Sequence, residues 1–160
     1  MRMTLVAVGR ARAGPRGQAQ SRLFGEYSER LSSGPWGPLK LREVEERRAV
    51  PASERPAREA ALIRAALPAG AYGIFLDQRG RSLSSEDFAR HLQGLADAGR
   101  PEVAFVIGGA EGLDPSLRAE ADLLLSLGPM TWPHLLVRVL LAEQLFRAQA
   151  ILGGHPYHRS

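Results

Sequence analysis

The chain reads as an α/β protein with a mostly parallel sheet and helices on both of its faces. Three observations predict this. Short apolar runs rich in β-branched residues recur along the chain, and most end at glycine, as buried strands do. Between them lie stretches with helical spacing of apolar residues, so the order is β-α repeated five times. There is no internal repeat, low-complexity segment or linker in the 160 residues, which suits one domain spanning 1–160.

Met3 to Gly9 (MTLVAVG) predicts the first buried strand, and the Gly-, Pro- and Arg-rich segment from Arg10 to Gly17 a loop. Gln18 to Leu31 places Leu23, Tyr27 and Leu31 four residues apart, one stripe of a helix. SSGPWGP (Ser32 to Pro38) is a turn cluster. LKLREVE (Leu39 to Glu45) alternates apolar and charged residues, as an edge strand does. Arg47 to Pro56 is charged, contains two prolines and reads as a loop, with a helix from Arg58 to Leu67 ended by Pro68 and Gly70.

Tyr72 to Asp77 (YGIFLD) predicts a buried strand, and Gln78 to Ser82 a turn. The Ser84-Ser85-Glu86-Asp87 run has the composition of a helix start, with acids in the first turn where the dipole favours them. That helix buries Phe88, Leu92 and Leu95 and ends at Gly99. Val103 to Ile107 is the next strand, and Asp114-Pro115 caps a short helix. Leu123 to Leu127 is the last strand and Pro133 to Leu152 the last helix, closed by Gly153-Gly154. The last helix is apolar on all sides, from Leu135 to Leu152. A sheet covers only one side of it, so a second subunit is expected on the other.

Composition excludes several function classes. Without cysteine there is no disulfide framework, thiolate nucleophile or Cys-ligated zinc. The four histidines lack acidic partners at ligand spacing, so no metal site is expected. No apolar run approaches the roughly 20 residues that span a bilayer, and no signal-peptide pattern opens the chain, which predicts a cytoplasmic protein with no membrane partner. The formal charge is +4 and Lys40 is the only lysine among many arginines. That excess fits either genomic base composition or a polyanionic partner.

Two loops draw attention. In Gly108-Gly109-Ala110-Glu111-Gly112 the first two residues lack a Cβ, so another group can approach the backbone closely. Ligands of open α/β sheets gather at the carboxyl ends of strands. Leu127-Gly128-Pro129-Met130-Thr131-Trp132-Pro133 is stiff and bulky, a shaped wall more than a flexible turn. No G-x-G-x-x-G follows the first strand, and there is no phosphate-binding G-x-x-x-x-G-K-[ST]. The tail His155-Pro156-Tyr157-His158-Arg159 is dense in hydrogen-bond donors.

IGGAEGL (Ile107 to Leu113), SLGPMTWPH (Ser126 to His134), LVRVLLAEQLFRA (Leu136 to Ala148) and HPYHR (His155 to Arg159) resemble the large-subunit ribosomal RNA pseudouridine N3-methyltransferases of the RlmH type. So do Leu76-Asp77, the following RGRSLSSEDFA and the opening LVAVG. The resemblance covers essentially the whole chain in order. It departs at Trp132, where smaller apolar residues are common, in the Ala49 to Pro56 loop and at Ser160.

The resemblance implies a SPOUT methyltransferase whose C-terminal part threads a deep trefoil knot. It implies S-adenosylmethionine as cofactor, a homodimer, and a pseudouridine of 23S ribosomal RNA in the large subunit or assembled 70S ribosome as substrate. By position, Leu76, Gly108 and the run Leu127 to Trp132 correspond to the cofactor site, with Gly109 beside them. Leu76, Leu127, Met130 and Trp132 suit the walls of an adenine pocket.

The N3 proton must leave during methylation, and His134, His158 and Glu111 are candidate bases. Arginines such as Arg138 suit a developing oxyanion. Arg138 and Arg147 equally suit an ion pair with Glu143 inside a dimer interface. Tyr157 is suited to stacking on an unpaired base and Arg159 to holding a phosphate or carbonyl. Two other readings stay open at this stage: a non-catalytic ribosome- or RNA-binding module of the same fold, and a nucleotide-binding enzyme with phosphate on the GGAEG loop.

Overall fold

The structure is a computed structural model that describes residues 1–10 and 14–157. Five strands and five helices alternate: β1 (Arg2–Val8), α1 (Pro15–Ser32), β2 (Leu39–Val44), α2 (Arg55–Ala66), β3 (Tyr72–Ser82), α3 (Ser85–Asp97), β4 (Glu102–Ile107), α4 (Pro115–Arg118), β5 (Leu123–Ser126) and α5 (His134–Leu152). The strands form one sheet in the order β2-β1-β4-β3-β5. Every strand pairing within that sheet is parallel. All five carboxyl ends therefore meet at one edge of the sheet.

Alternation along the strands divides the core in two. Met3, Leu5, Ala7, Ile74, Val103 and Phe105 point to one face and pack under α1, α3 and α5. Val6, Val8, Phe75 and Val106 point to the other and pack under α2 and α4. Both faces are covered, so the central strands read as continuous apolar runs, while β2 at the edge alternates.

Local chemistry sets several helix starts. Ser84 caps α3 by accepting from the Asp87 N–H, and Asp114 caps α4 by accepting from the Ser116 N–H. Helices α1 and α2 begin earlier than apolar spacing suggests, at Pro15 and Arg55, because each has proline in its first turn. Proline there loses no hydrogen bond and has the right φ already. These starts shorten the loops expected over 10–17 and 47–56.

Three further features differ from the sequence reading. The Gln78 to Ser82 segment is not simply a turn: β3 bulges after Leu76 and rejoins β5, pairing Arg81 with Leu125 and Ser82 with Ser126. Gly80 permits this, since a Cβ there would lie 2.6 Å from the Leu124 carbonyl carbon. Trp36, inside the turn cluster, is buried in the main core. Helix α5 is not covered by the sheet alone, for its buried side joins the core that α1 and α3 also enclose. Its buried residues include Arg138, Ala142 and Leu145, and Leu136 and Leu140 are only half-buried. At about 100° per residue these two lie on the side of the helix away from that group.

Candidate active site

Three loops leave the carboxyl edge from neighbouring strands and enclose one cleft of about 720 Å³. The loop after β4 supplies Gly108 to Leu113, the bulge of β3 supplies Leu76 to Arg79, and the segment after β5 supplies Leu127, Gly128 and Met130 to His134. Of the residues singled out in sequence, Leu76, Gly108, Gly109, Leu127, Gly128, Met130, Thr131, Trp132 and His134 all line it. Pro129 does not, and faces solvent.

The geometry of each loop follows from its glycines and hydroxyls. Gly109 and Gly112 form a small antiparallel bridge, and the Gly112 N–H donates to the Gly109 carbonyl at 3.0 Å. Gly112 has φ +78°, a left-handed conformation that favours glycine. A Cβ on Gly108 would lie 2.9 Å from Leu113 Cδ2 and 3.2 Å from the Gly112 carbonyl carbon. Gly128 has φ +102°. The buried Ser126 hydroxyl accepts from the Gly128 N–H at 3.1 Å and donates to the Gln78 carbonyl at 3.2 Å, tying two of the loops together.

The walls are mixed. Met130 is 69% exposed and Trp132 40%, so large apolar surface stands open at the rim. At the floor, Asp77 has a nearly buried carboxylate, 3.6 Å from Arg118 and 4.0 Å from Arg79. The Arg79 N–H also donates to Asp77 at 2.9 Å. His134 opens α5, and its Nε2 stands 3.4 Å from where a Cβ on Gly9 would sit. It therefore bridges the cleft and the end of β1.

The other predicted residues lie elsewhere. Arg138 is buried, at 4% exposure. It pairs with Glu43 at 2.7 Å and donates to the carbonyls of Val8 and Gly9 at 3.1 and 2.7 Å. Its partner is thus Glu43, not Glu143, which pairs instead with Arg147. Arg138 holds α5 to the ends of β1 and β2, and its guanidinium is turned inward.

Tyr157 also packs within its own chain. Its ring meets Phe146 edge-on at 4.7 Å between centroids, with the Arg147 guanidinium 5.0 Å away over its face. Its hydroxyl donates to Glu143 at 3.2 Å. Burial, then the Tyr27 and Glu143 side chains, push the phenol up to about 12. Glu143 is nine residues beyond His134, roughly 14 Å along the helix, so Tyr157 does not reach its own chain's cleft. His158 and Arg159 lie outside the described residues.

Sequence reasoning missed Asp77, Arg118 and Ser126 as parts of the site. An acidic residue directly after a buried strand was the available signal for Asp77. For the other two the contacts span dozens of residues, and no local pattern carries them. Among the described residues no group of His, Asp or Glu is placed to hold a metal ion, and no helix is long and apolar enough to cross a membrane.

Comparisons with known proteins agree with this architecture. A family model described as predicted SPOUT methyltransferase matches residues 1–158. The protein named ribosomal RNA large subunit methyltransferase H of Rhodospirillum centenum is 54% identical over 160 residues, covering 100% of both chains. The protein of that name from Paramagnetospirillum magneticum is 52% identical over 159 residues, covering 99% of each. Among solved structures, a probable methylase family protein from Haemophilus influenzae superposes with a TM-score of 0.55 at 13% identity, over 99% of this chain and 70% of that one, a likeness of fold. With a family match along nearly its whole length, and end-to-end relatives identical at about half their positions, the chain belongs to the SPOUT methyltransferase family.

Proposed function

We propose that this chain is an S-adenosylmethionine-dependent methyltransferase that methylates N3 of a pseudouridine in 23S ribosomal RNA of the assembled ribosome. It acts as a cytoplasmic homodimer, each subunit a single domain over residues 1–160 with the knotted C-terminal topology of its family. The observation that carries this reading is the convergence of the loops after β3, β4 and β5 on one cleft. Relatives named as ribosomal RNA large subunit methyltransferases match the chain along its full length.

The cleft fits the cofactor. Its volume falls within the roughly 300–1,000 Å³ of small-molecule sites. Gly108 and Gly109 line the cleft with backbone, and Leu76, Leu127, Met130 and Trp132 offer apolar walls for an adenine. Gly128 and Thr131 add backbone groups, and Pro129 stiffens the segment without lining the cleft. When bound, S-adenosylmethionine supplies an electrophilic methyl group on a sulfonium.

The chain's own residues then have defined tasks. His134, at the cleft rim, takes the N3 proton. The start of α5, a helix of 19 residues, favours negative charge developing on the neighbouring base carbonyls. Arg138 is a positioning residue that holds this helix start against β1 and β2. Because Tyr157 packs two turns or more from His134, the tail serves the cleft of the partner subunit. Tyr157 anchors it, and His158 and Arg159 are what it presents to RNA.

Mass mapping of ribosomal RNA tests this reading. Ribosomes from cells lacking the protein should lack one methyl group on a pseudouridine of 23S RNA, and adding the protein with S-adenosylmethionine should restore it. An unchanged methylation map would overturn the assignment.

A further inference from the structure

The mechanism above leaves one buried ionisable group unused. Glu59, on α2, is 5% exposed and sits beside Ala60 and Ile63 on the second core face. Its Oε2 has no hydrogen-bond partner, and no ion pair to it lies within salt-bridge distance among the described residues. Buried carboxyl oxygens are rarely left so, because stripping water from them is costly.

What Glu59 faces is the loop after β4. A Cβ on Gly109 would fall 2.7 Å from Glu59 Oε2 and 2.9 Å from Oε1. The carboxyl thus occupies the space of the side chain that Gly109 lacks. Gly109 is not in the left-handed region, so backbone conformation does not require glycine there. What fills the space there is the Glu59 carboxyl, so a Cβ at Gly109 would have to push that side chain aside. Gly109 in turn bridges to Gly112, and both line the cleft, whereas Glu59 stands behind them and does not.

We propose that Glu59 is a positioning residue for the cofactor loop: its carboxyl is the backstop that sets Gly109, and its orphan oxygen accepts a backbone N–H of residues 109–112 when the loop closes on its ligand. This rests on the reading that the cleft holds S-adenosylmethionine. The surroundings agree with a group kept for its shape and acceptor oxygen. Burial pushes the Glu59 carboxyl above its ordinary range, Arg55 opposes this, and Glu111 and Glu46 add to it.

The test is three single variants and one double, each read in two ways. Calorimetry with S-adenosylmethionine reads the loaded site. Hydrogen exchange at the amides of residues 109–112 reads the loop in the free protein. Glu59→Ala should weaken binding by about ten-fold, the size of one lost hydrogen bond to a charged or buried group, and should speed exchange in the free loop by removing the backstop behind Gly109. Glu59→Gln, which keeps the shape and one acceptor, should recover most of both.

Gly109→Ala alone should also weaken binding, because its methyl meets the carboxyl. In the double variant that methyl has room, so the combined loss should be smaller than the product of the two single losses. Unchanged exchange in Glu59→Ala, or strictly multiplicative losses, would overturn the proposal. If the wild-type chain fails to bind S-adenosylmethionine, the cofactor reading fails. The exchange data then still decide whether Glu59 sets the loop.

Discussion

Arg138 and Glu43 meet at 2.7 Å across 95 residues of sequence and clamp the head of α5 to the edge strand β2. Two more hydrogen bonds from the same guanidinium reach the carbonyls at the end of β1. Replacing Arg138 with alanine leaves Glu43 and two carbonyls short of a donor. Removing one partner of a buried pair is strongly destabilising, and with Glu43 29% exposed we expect a loss of about 3 kcal/mol. Lysine should recover little of it, since one ammonium cannot reproduce the guanidinium fork. Urea denaturation checks both, and a loss under 1 kcal/mol for the alanine variant would show that the clamp is not structural.

Tyr157 predicts an alkaline signature. Its phenol ionises at about 12, against an ordinary value of 10.0. The folded chain therefore binds this proton more tightly than the unfolded chain. The stabilisation is complete below the ordinary value and is lost as pH rises towards the folded value. Tyr157→Phe should remove the late phenol from an ultraviolet titration and flatten the fall in stability across that window. Some fall should remain, because burial also raises Tyr72. If the phenol lost in that variant titrates at the ordinary value, the burial of Tyr157 beside Tyr27 and Glu143 is contradicted.

The tail carries a second prediction. A chain ending at Gly154 loses the edge-on contact of Tyr157 with Phe146, worth about 1 kcal/mol. It should melt slightly below the full chain, remain dimeric and still bind S-adenosylmethionine. Methyl transfer to ribosomes should nearly vanish. Full activity would remove the tail from the reaction, and loss of cofactor binding would make it structural.

The dimer prediction concerns Leu136 and Leu140, half-buried and on the side of α5 turned away from Arg138, Ala142 and Leu145. Sedimentation at micromolar concentration should show a dimer for the wild-type chain. Leu136→Arg places an unpaired charge in that interface and should give monomers with helical content unchanged. A dimer that survives this change would place the interface elsewhere.

An obvious probe of the cleft proves unsuitable. The Cβ of a valine at Gly108 would strike Leu113 and the Gly112 backbone before the side chain reached any ligand. Weak binding by that variant would report a disturbed loop. Positions whose side chains point into open space, such as Met130, are cleaner. Met130→Glu should lower cofactor affinity about ten-fold with melting unchanged, as judged by calorimetry and thermal denaturation.

Each helix and strand was legible in the sequence at least in part, because period and punctuation are local. The apolar runs of β1 and β4, the Ser84 and Asp114 caps and the glycines of 108–112 all act within a few residues. The resemblance along the chain likewise marked which loops would meet at the cleft. Tertiary structure alone decided the strand order and the return of β3 past Gly80 to pair with β5. It also decided which acid Arg138 would find, where Tyr157 would lie, and that Glu59 would stand behind Gly109. Each of these joins residues separated by more than ten positions, and most by several tens. Such contacts depend on how the layers pack, and no local spacing of residue types encodes that.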